Sequence, residues 1–271
     1  MSIAVFRANL WFHRYTALAW IVGVGFLAFL VGALYRSAGG PDYLKLLEQM
    51  PAGLKASMGL DPNTPLSAGD GLSVSIWLNT QFLSYGAVLF AIYAVVHGTA
   101  AIAREAEKGT LDLVLSQPIG RSQFLVSRGL VFVASSAVLA LATALTLVAG
   151  LAVIGVTTDI LYLLLTVFQA WLVALAVAGY SFAFSCLFLS TAKAGAAAGL
   201  LTTAFYAIDI VARTVERVSW LGNLSLFHFY EPQHVLDTGE LSWVGIVVCG
   251  GVAIGATAAA AAIFQRRDIP T

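Results

Sequence analysis

Apolar positions along the chain fall into six long runs: Thr16–Tyr35, Ser75–Ala101, Gln123–Val156, Ile160–Leu189, Ala194–Ala212 and Trp243–Phe264. A helix needs about 20 mostly apolar residues to cross a bilayer. The runs are continuous and do not alternate with period two, so they predict helices and not barrel strands. The third run is long enough to include a cytoplasmic extension. The first run ends in Tyr35-Arg36 with no clear small-residue cleavage site, which predicts a retained helix and not a signal peptide.

Polar stretches between the runs carry their own pattern. At the start, "IAVFRANLWFHRY" puts Phe6 and Leu10, with His13, on one face, as an interfacial helix before the first span would. Ser37–Val74 holds Pro41, Pro51, Pro62 and Pro65, and "DYLKLLEQM" between the first two has apolar residues at helical spacing. That predicts a short amphipathic helix on the outer surface. Thr214–Ser242 contains "WLGNLSLFHFYEPQHVL", aromatic but broken by Gly222 and Pro232. It suits an interfacial belt, a re-entrant pair of half-helices, or a lid on the helix ends.

Composition agrees with a membrane protein. Of 271 residues 59% are hydrophobic and 10% charged, with mean hydropathy +0.88, against about 45–50% and about 25% in a soluble domain. The net charge is zero, which gives no footing for nucleic acid. Cys186 and Cys249 both sit in apolar runs and read as small buried hydrophobes, not a disulfide framework.

Lysine and arginine placement sets the expected orientation. With the N-terminus inside, nine of the fourteen basic residues face the cytoplasm: Arg7, Arg14, Arg104, Lys108, Arg121, Arg128, Lys193, Arg266 and Arg267. Arg36, Lys45, Lys55, Arg213 and Arg217 fall outside. The short Ser190–Lys193 loop and "QRRD" are basic and inside, and "TTD" at Thr157–Asp159 is acidic and outside. Both termini are expected in the cytoplasm of a multi-pass chain in the cell membrane.

Catalytic chemistry is not legible. No GxxxxGK[ST] loop occurs, so phosphates are not cradled that way. "HFYEPQH" offers His228, Glu231 and His234, but Pro232 interrupts it and HExxH spacing is lacking, so no metal is assigned. The scattered Ser and Thr read as backbone-bonding or packing residues. Asp209 lies near the outer end of the fifth run, where a lone charge is costly. Arg213 follows at i+4, which suits an ion pair on one helix face; the alternative is an outer gate or polar cavity site. Gly195 with Gly199 and Gly251 with Gly255 fit GxxxG, which lets helices approach closely within this chain or with a second copy.

The most charged interruption is "AIAREAEKGTLDLVLSQPIGR", with six of the twenty-eight Asp, Glu, Lys and Arg residues. Arg104, Glu105, Glu107 and Lys108 alternate in sign like a solvated helix end. Gly109 breaks the helix and Thr110 can cap a new one. There Leu111, Val114 and Leu115 share a face, with Asp112 near the N-terminus. Pro118 and Gly120 close it, and Ser122 can cap the third span. The prediction is a short helix held crosswise between two spans on the cytoplasmic side.

"AREAEKGTLDLVLSQPIGRSQFLVSRGL" (Ala103–Leu130) resembles the cytoplasmic signature of ABC transporter permeases of the type-2 exporter class, R-E-x-E-x-G-T-L-[ED]-L-L-L-[ST]-x-P-[IV]-x-R. The match is dense over about 20 residues; elsewhere the likeness is architectural. The resemblance implies an all-α integral membrane protein. It has six transmembrane helices, an N-terminal interfacial helix, a cytoplasmic coupling helix and a broken outer segment before the last span, in one permease domain over residues 1–271. It implies that the short helix docks on a separate ATP-binding subunit, through Arg104, Glu105, Glu107, Lys108, Gly109, Thr110, Leu111, Asp112, Leu115, Pro118 and Arg121. No cofactor is then expected in this chain; ATP and Mg would sit in the ATPase. Two ATPase copies and a second permease chain, identical or related, would complete the assembly, and ATP-driven ATPase dimerisation would switch the permeases between packings. The apolar interior predicts a hydrophobic or amphipathic cargo, such as a drug-like molecule, lipid or peptide. A membrane component of an ATPase-linked assembly or signalling complex that moves no substrate is the alternative, and a membrane enzyme is disfavoured by the missing catalytic set.

Overall fold

The computed structural model describes residues 3–60, 66–68, 71–109 and 120–266, and within these the side chains of all but 3–14, 68, 71, 121 and 122. The fold is all-α. Among the described residues, six helices are long and apolar enough to cross a membrane.

The first span is part of α1 (Ile3–Ala38), so the N-terminal segment is helical and enters the span without a break. The stretch between the first two spans, expected on the outer side, forms α2 (Pro41–Gln49) and α3 (Ala52–Ser57). Proline starts α2, where a missing N–H is harmless, and Leu47 is its buried residue. A two-residue antiparallel pair follows, Ser67 opposite Leu72 and Ala68 opposite Gly71. The second span is α4 (Val74–Leu78), a π-helical turn (Asn79–Leu83) and α5 (Ser84–Glu107) in unbroken succession. Buried Asn79 sits in that turn, donating to the Met58 carbonyl at 3.1 Å and accepting from Ser84 Oγ at 2.9 Å.

The remaining spans are α6 (Arg121–Val153), α7 (Ile160–Phe188), α8 (Thr191–Thr214) and α10 (Trp243–Arg266). Asp159 caps α7 by accepting from the backbone N–H groups of Leu161 and Tyr162 at 2.9 and 3.3 Å. Between α8 and α10 lie two short 3-10 segments, Glu216–Leu224 and Leu226–Phe229, and then α9 (Pro232–Thr238). This is the broken outer segment that Gly222 and Pro232 announced.

Helix α7 is the centre of the bundle. It packs on α5 and α10 and also touches α6, α8 and α9, while α1 lies along α6. Without a hydrophobic force between helices in lipid, such contacts depend on close backbone approach and interhelical hydrogen bonds. The tightest crossings fall at glycines outside any GxxxG pair. A Cβ on Gly150 would lie 2.3 Å from the Phe29 carbonyl oxygen, and one on Gly98 would lie 2.6 Å from Ser181 Cβ. Gly195, Gly199, Gly251 and Gly255 meet nothing within 4 Å, so those two motifs face away from the described part of this chain.

The scattered hydroxyls behave as predicted. Thr80, Thr99, Ser136, Thr143, Thr166, Ser181 and Thr202 each donate to the carbonyl four residues back. Ser185 does more. Its Oγ accepts from the backbone N–H groups of Ile102 and Ala103 at 3.1 and 3.0 Å and donates to the Thr99 carbonyl at 2.8 Å, tying the C-terminal end of α7 into the ladder of α5.

Candidate functional site

At the end expected to face the cytoplasm, α5 stops at Glu107 and Gly109 takes φ +65°, the left-handed conformation that ends a helix and that glycine adopts without strain. Helix α6 begins at Arg121 with Gly120 in the capping position, so Ser122 lies inside the helix and does not start it. The intervening Thr110, Leu111, Asp112, Leu115 and Pro118, and with them the expected crosswise helix, lie outside the described residues.

The two helix ends that flank this segment are anchored by carboxylates. Arg128 on α6 donates to Glu105 Oε1 at 2.8 Å, with the two side chains only 10% and 20% exposed. Its guanidinium also lies 5.2 Å from the centre of the Phe124 ring, a cation–π geometry. Glu107 reaches across to α8, accepting from the Thr191 backbone N–H at 2.8 Å and from Thr191 Oγ1 at 2.5 Å. The first N–H groups of a helix need outside acceptors. Ser190, at the capping position of α8, makes no side-chain cap bond, so a carboxylate from another helix does that work at the positive end of the helix dipole. The end of α5 is thereby tied to α6 and α8 at once. Lys108 and Arg104 stay exposed. None of these cross-helix partners was legible in the sequence, because 23 and 84 residues separate them.

At the opposite end, Asp209 and Arg213 form the pair that their spacing predicted. Arg213 Nε donates to both carboxylate oxygens, at 3.0 and 2.9 Å. Arg213 Nη2 donates in addition to the carbonyls of Phe227, His228 and Tyr230, at 3.3, 3.2 and 3.1 Å. His228 Nδ1 lies 3.4 Å from Asp209 Oδ1. Gly222 makes room for that imidazole, since a Cβ there would sit 2.6 Å from His228 Nδ1.

Four further bonds seat this cap, the one expected on the outer side. Gln169 on α7 donates to the Phe229 carbonyl at 2.7 Å and accepts from the Glu231 backbone N–H at 3.3 Å. Ser225 Oγ donates to the Phe205 carbonyl at 2.7 Å. Tyr230 OH donates to the Leu83 carbonyl, at the end of the π turn, at 2.7 Å. Burial pushes the Tyr230 phenol far above its ordinary range, which keeps it a donor. Leu226, Phe227 and Tyr230 are buried beneath the cap. Gln169, a polar residue inside the fourth span, was missed in the sequence; a lone amide in an apolar run was the available signal.

The outer cap and the first outer stretch enclose a pocket of about 510 Å3. Glu231 and His234 line it, while His228 turns to Asp209. Among the described residues no three His, Cys, Asp or Glu side chains gather as a metal set.

Residues 16–269 match the family described as ABC-2 family transporter protein. No curated protein matches the chain.

Proposed function

Because the chain belongs to the ABC-2 transporter family, and so is a multi-pass membrane permease that works with an ABC ATPase, we propose that it is the permease subunit of an ATP-driven exporter. Its Thr110–Gln117 segment serves as the coupling helix on a separate ATPase. Two permease chains and two ATPases make the working unit in the cell membrane, with both termini cytoplasmic, and the cargo is hydrophobic or amphipathic.

The observation that carries the coupling assignment is the bracing of the helix ends on either side of the short segment. Helix α5 ends at Gly109 and α6 restarts after Gly120, while Glu105–Arg128 and Glu107–Thr191 join three helix ends. Interhelical ties of this kind pass a push on the short segment to α6 and α8 as rigid bodies. In this reading Glu105 and Glu107 position the coupling segment from within the permease. Arg104, Lys108, Gly109, Thr110, Leu111, Asp112, Leu115, Pro118 and Arg121 remain for the ATPase. An apolar groove of about 370 Å3 between α1 and α5, lined by Trp20, Val24, Leu27 and Leu89, supports an apolar cargo.

The test is to seek a neighbouring reading frame with a Walker A motif and to co-purify its product with this chain. Deletion of Thr110–Gln117 should abolish ATPase association while the six-helix bundle persists. Undiminished association would overturn the coupling assignment, and strong ATPase stimulation by a small hydrophilic sugar would overturn the cargo class.

A further inference from the structure

The second span is irregular near both of its ends, and each irregularity is held by groups from outside the helix. At the cap end the backbone widens into the π-helical turn Asn79–Leu83. Such turns are rare, occur singly inside α-helices and bend them. Thr80 Oγ1 donates back to the Ile76 and Trp77 carbonyls at 2.8 and 3.3 Å, a bond that also bends helices. The turn is clamped from two sides. Asn79 Nδ2 and Ser84 Oγ both donate to the Met58 carbonyl, at 3.1 and 2.9 Å, and Tyr230 OH of the cap donates to the Leu83 carbonyl at 2.7 Å.

At the coupling end, the fully buried Ser185 of α7 enters the hydrogen-bond ladder of α5 through the Ile102 and Ala103 amides and the Thr99 carbonyl. A side chain inserted into the i→i−4 ladder is one of the few causes of a helix bend. Its hydroxyl offers both amides an acceptor from another helix, so the last turn of α5 can tilt without leaving them unsatisfied. One residue before Thr99, Gly98 crosses α7 so closely that a Cβ would lie 2.6 Å from Ser181 Cβ. That crossing is a fulcrum. Beyond it lie Glu105 and Glu107, bonded to Arg128 and Thr191.

Between the two irregularities, Ser84–Gly98 is continuous α-helix, about 22 Å long at 1.5 Å per residue. We infer that this stretch is a rigid rod with a joint at each end, and that Ser185 and Tyr230 are positioning residues through which movement of the coupling segment reaches the cap. A push on the last turn of α5 tilts it at Ser185, and the rod pivots at Gly98. The π turn then passes the displacement through the Leu83 carbonyl to Tyr230. The source of the push rests on the coupling reading; the two joints do not.

Hydrogen exchange of the cap, Glu216–Thr238, tests this in the full chain with its ATPase in nanodiscs. It is read by mass spectrometry without nucleotide and after trapping with ATP and vanadate. Trapping should change cap exchange by about threefold or more, since exchange reports local opening. Ser185→Ala and Tyr230→Phe should each abolish most of that change while ATPase association and basal ATPase activity persist. Ser185→Cys, a weaker donor and acceptor of similar size, should keep part of it, and it carries the test if the alanine variant does not fold. Two controls should transmit normally. Ser181→Ala removes a hydroxyl bonded within α7 to the Val177 carbonyl, and Gln169→Leu unties the cap from α7 but not from the second span. An unchanged cap on trapping, an undiminished change in Ser185→Ala or in Tyr230→Phe, or an equal loss in the two controls would each overturn the inference, and intact association would leave the coupling reading standing. An unaltered chain that retains no ATPase would remove both.

Discussion

Arg213 holds Asp209 through one nitrogen and the backbone of the outer cap through another, so a single guanidinium neutralises a buried carboxylate and serves three carbonyls. Asp209 is 5% exposed. Arg213→Gln would leave an uncompensated buried charge, and removing one partner of a buried pair costs about 3–5 kcal/mol. Thermal unfolding in nanodiscs should show that loss, and limited proteolysis should cut the Glu216–Thr238 region faster. Adding Asp209→Asn should recover part of the stability; a single substitution as stable as the unaltered chain would show that the pair does not hold the cap.

The Glu105–Arg128 pair should tolerate no simple swap. Arg128 combines a 2.8 Å hydrogen bond with a position over the Phe124 ring, and lysine matches neither the planar fork nor the stacking. Arg128→Lys is expected to lower stability by about 1–3 kcal/mol, the usual range for an unsatisfied buried polar group, and to weaken ATPase association. Association equal to that of the unaltered chain would show that the brace does not position the coupling segment.

Glu107→Ala removes both bonds at the start of α8. Because the carboxylate is exposed, the chain should fold normally. The expected change is in coupling: cargo-stimulated ATPase activity in the reconstituted complex falls while basal ATPase activity persists. Glu107→Gln, with one acceptor left, should be intermediate.

Two kinds of glycine should separate cleanly. Gly150→Ala drives a Cβ into the α1 backbone and should lower stability by about 1–3 kcal/mol, as overpacking does. Gly199→Ala and Gly255→Ala face open space and should stay within about 0.5 kcal/mol in the isolated chain. Should Gly199→Leu leave the isolated chain intact but disrupt the assembled transporter, the open faces of α8 and α10 are where another chain packs.

Gly109→Val tests the helix stop. A β-branched residue at φ +65° is strained by about 1–2 kcal/mol, and relief by extending α5 would misplace the coupling segment. Reduced ATPase co-purification with unchanged helical content is the expected outcome.

The amino-acid sequence by itself determined the class, the six spans, the position of the charged island and the Asp209–Arg213 pair. All of these depend on local properties: continuous apolar runs longer than a bilayer, punctuation by glycine and proline, and an i+4 spacing on one helix. The tertiary structure alone decided which charges meet across helices. Glu105 and Glu107 read as a solvated alternating run, and only the packing of α5 against α6 and α8 turned them onto Arg128 and Thr191. The fold likewise chose Gly150 and Gly98 as the close crossings over the GxxxG pairs, since small residues permit an approach but do not select the helix that makes it. Gln169 and Arg213 seat the outer cap for the same reason: carbonyls of a broken segment find donors from two helices that meet only in space, and Tyr230 of the segment donates in turn to the Leu83 carbonyl of the second span.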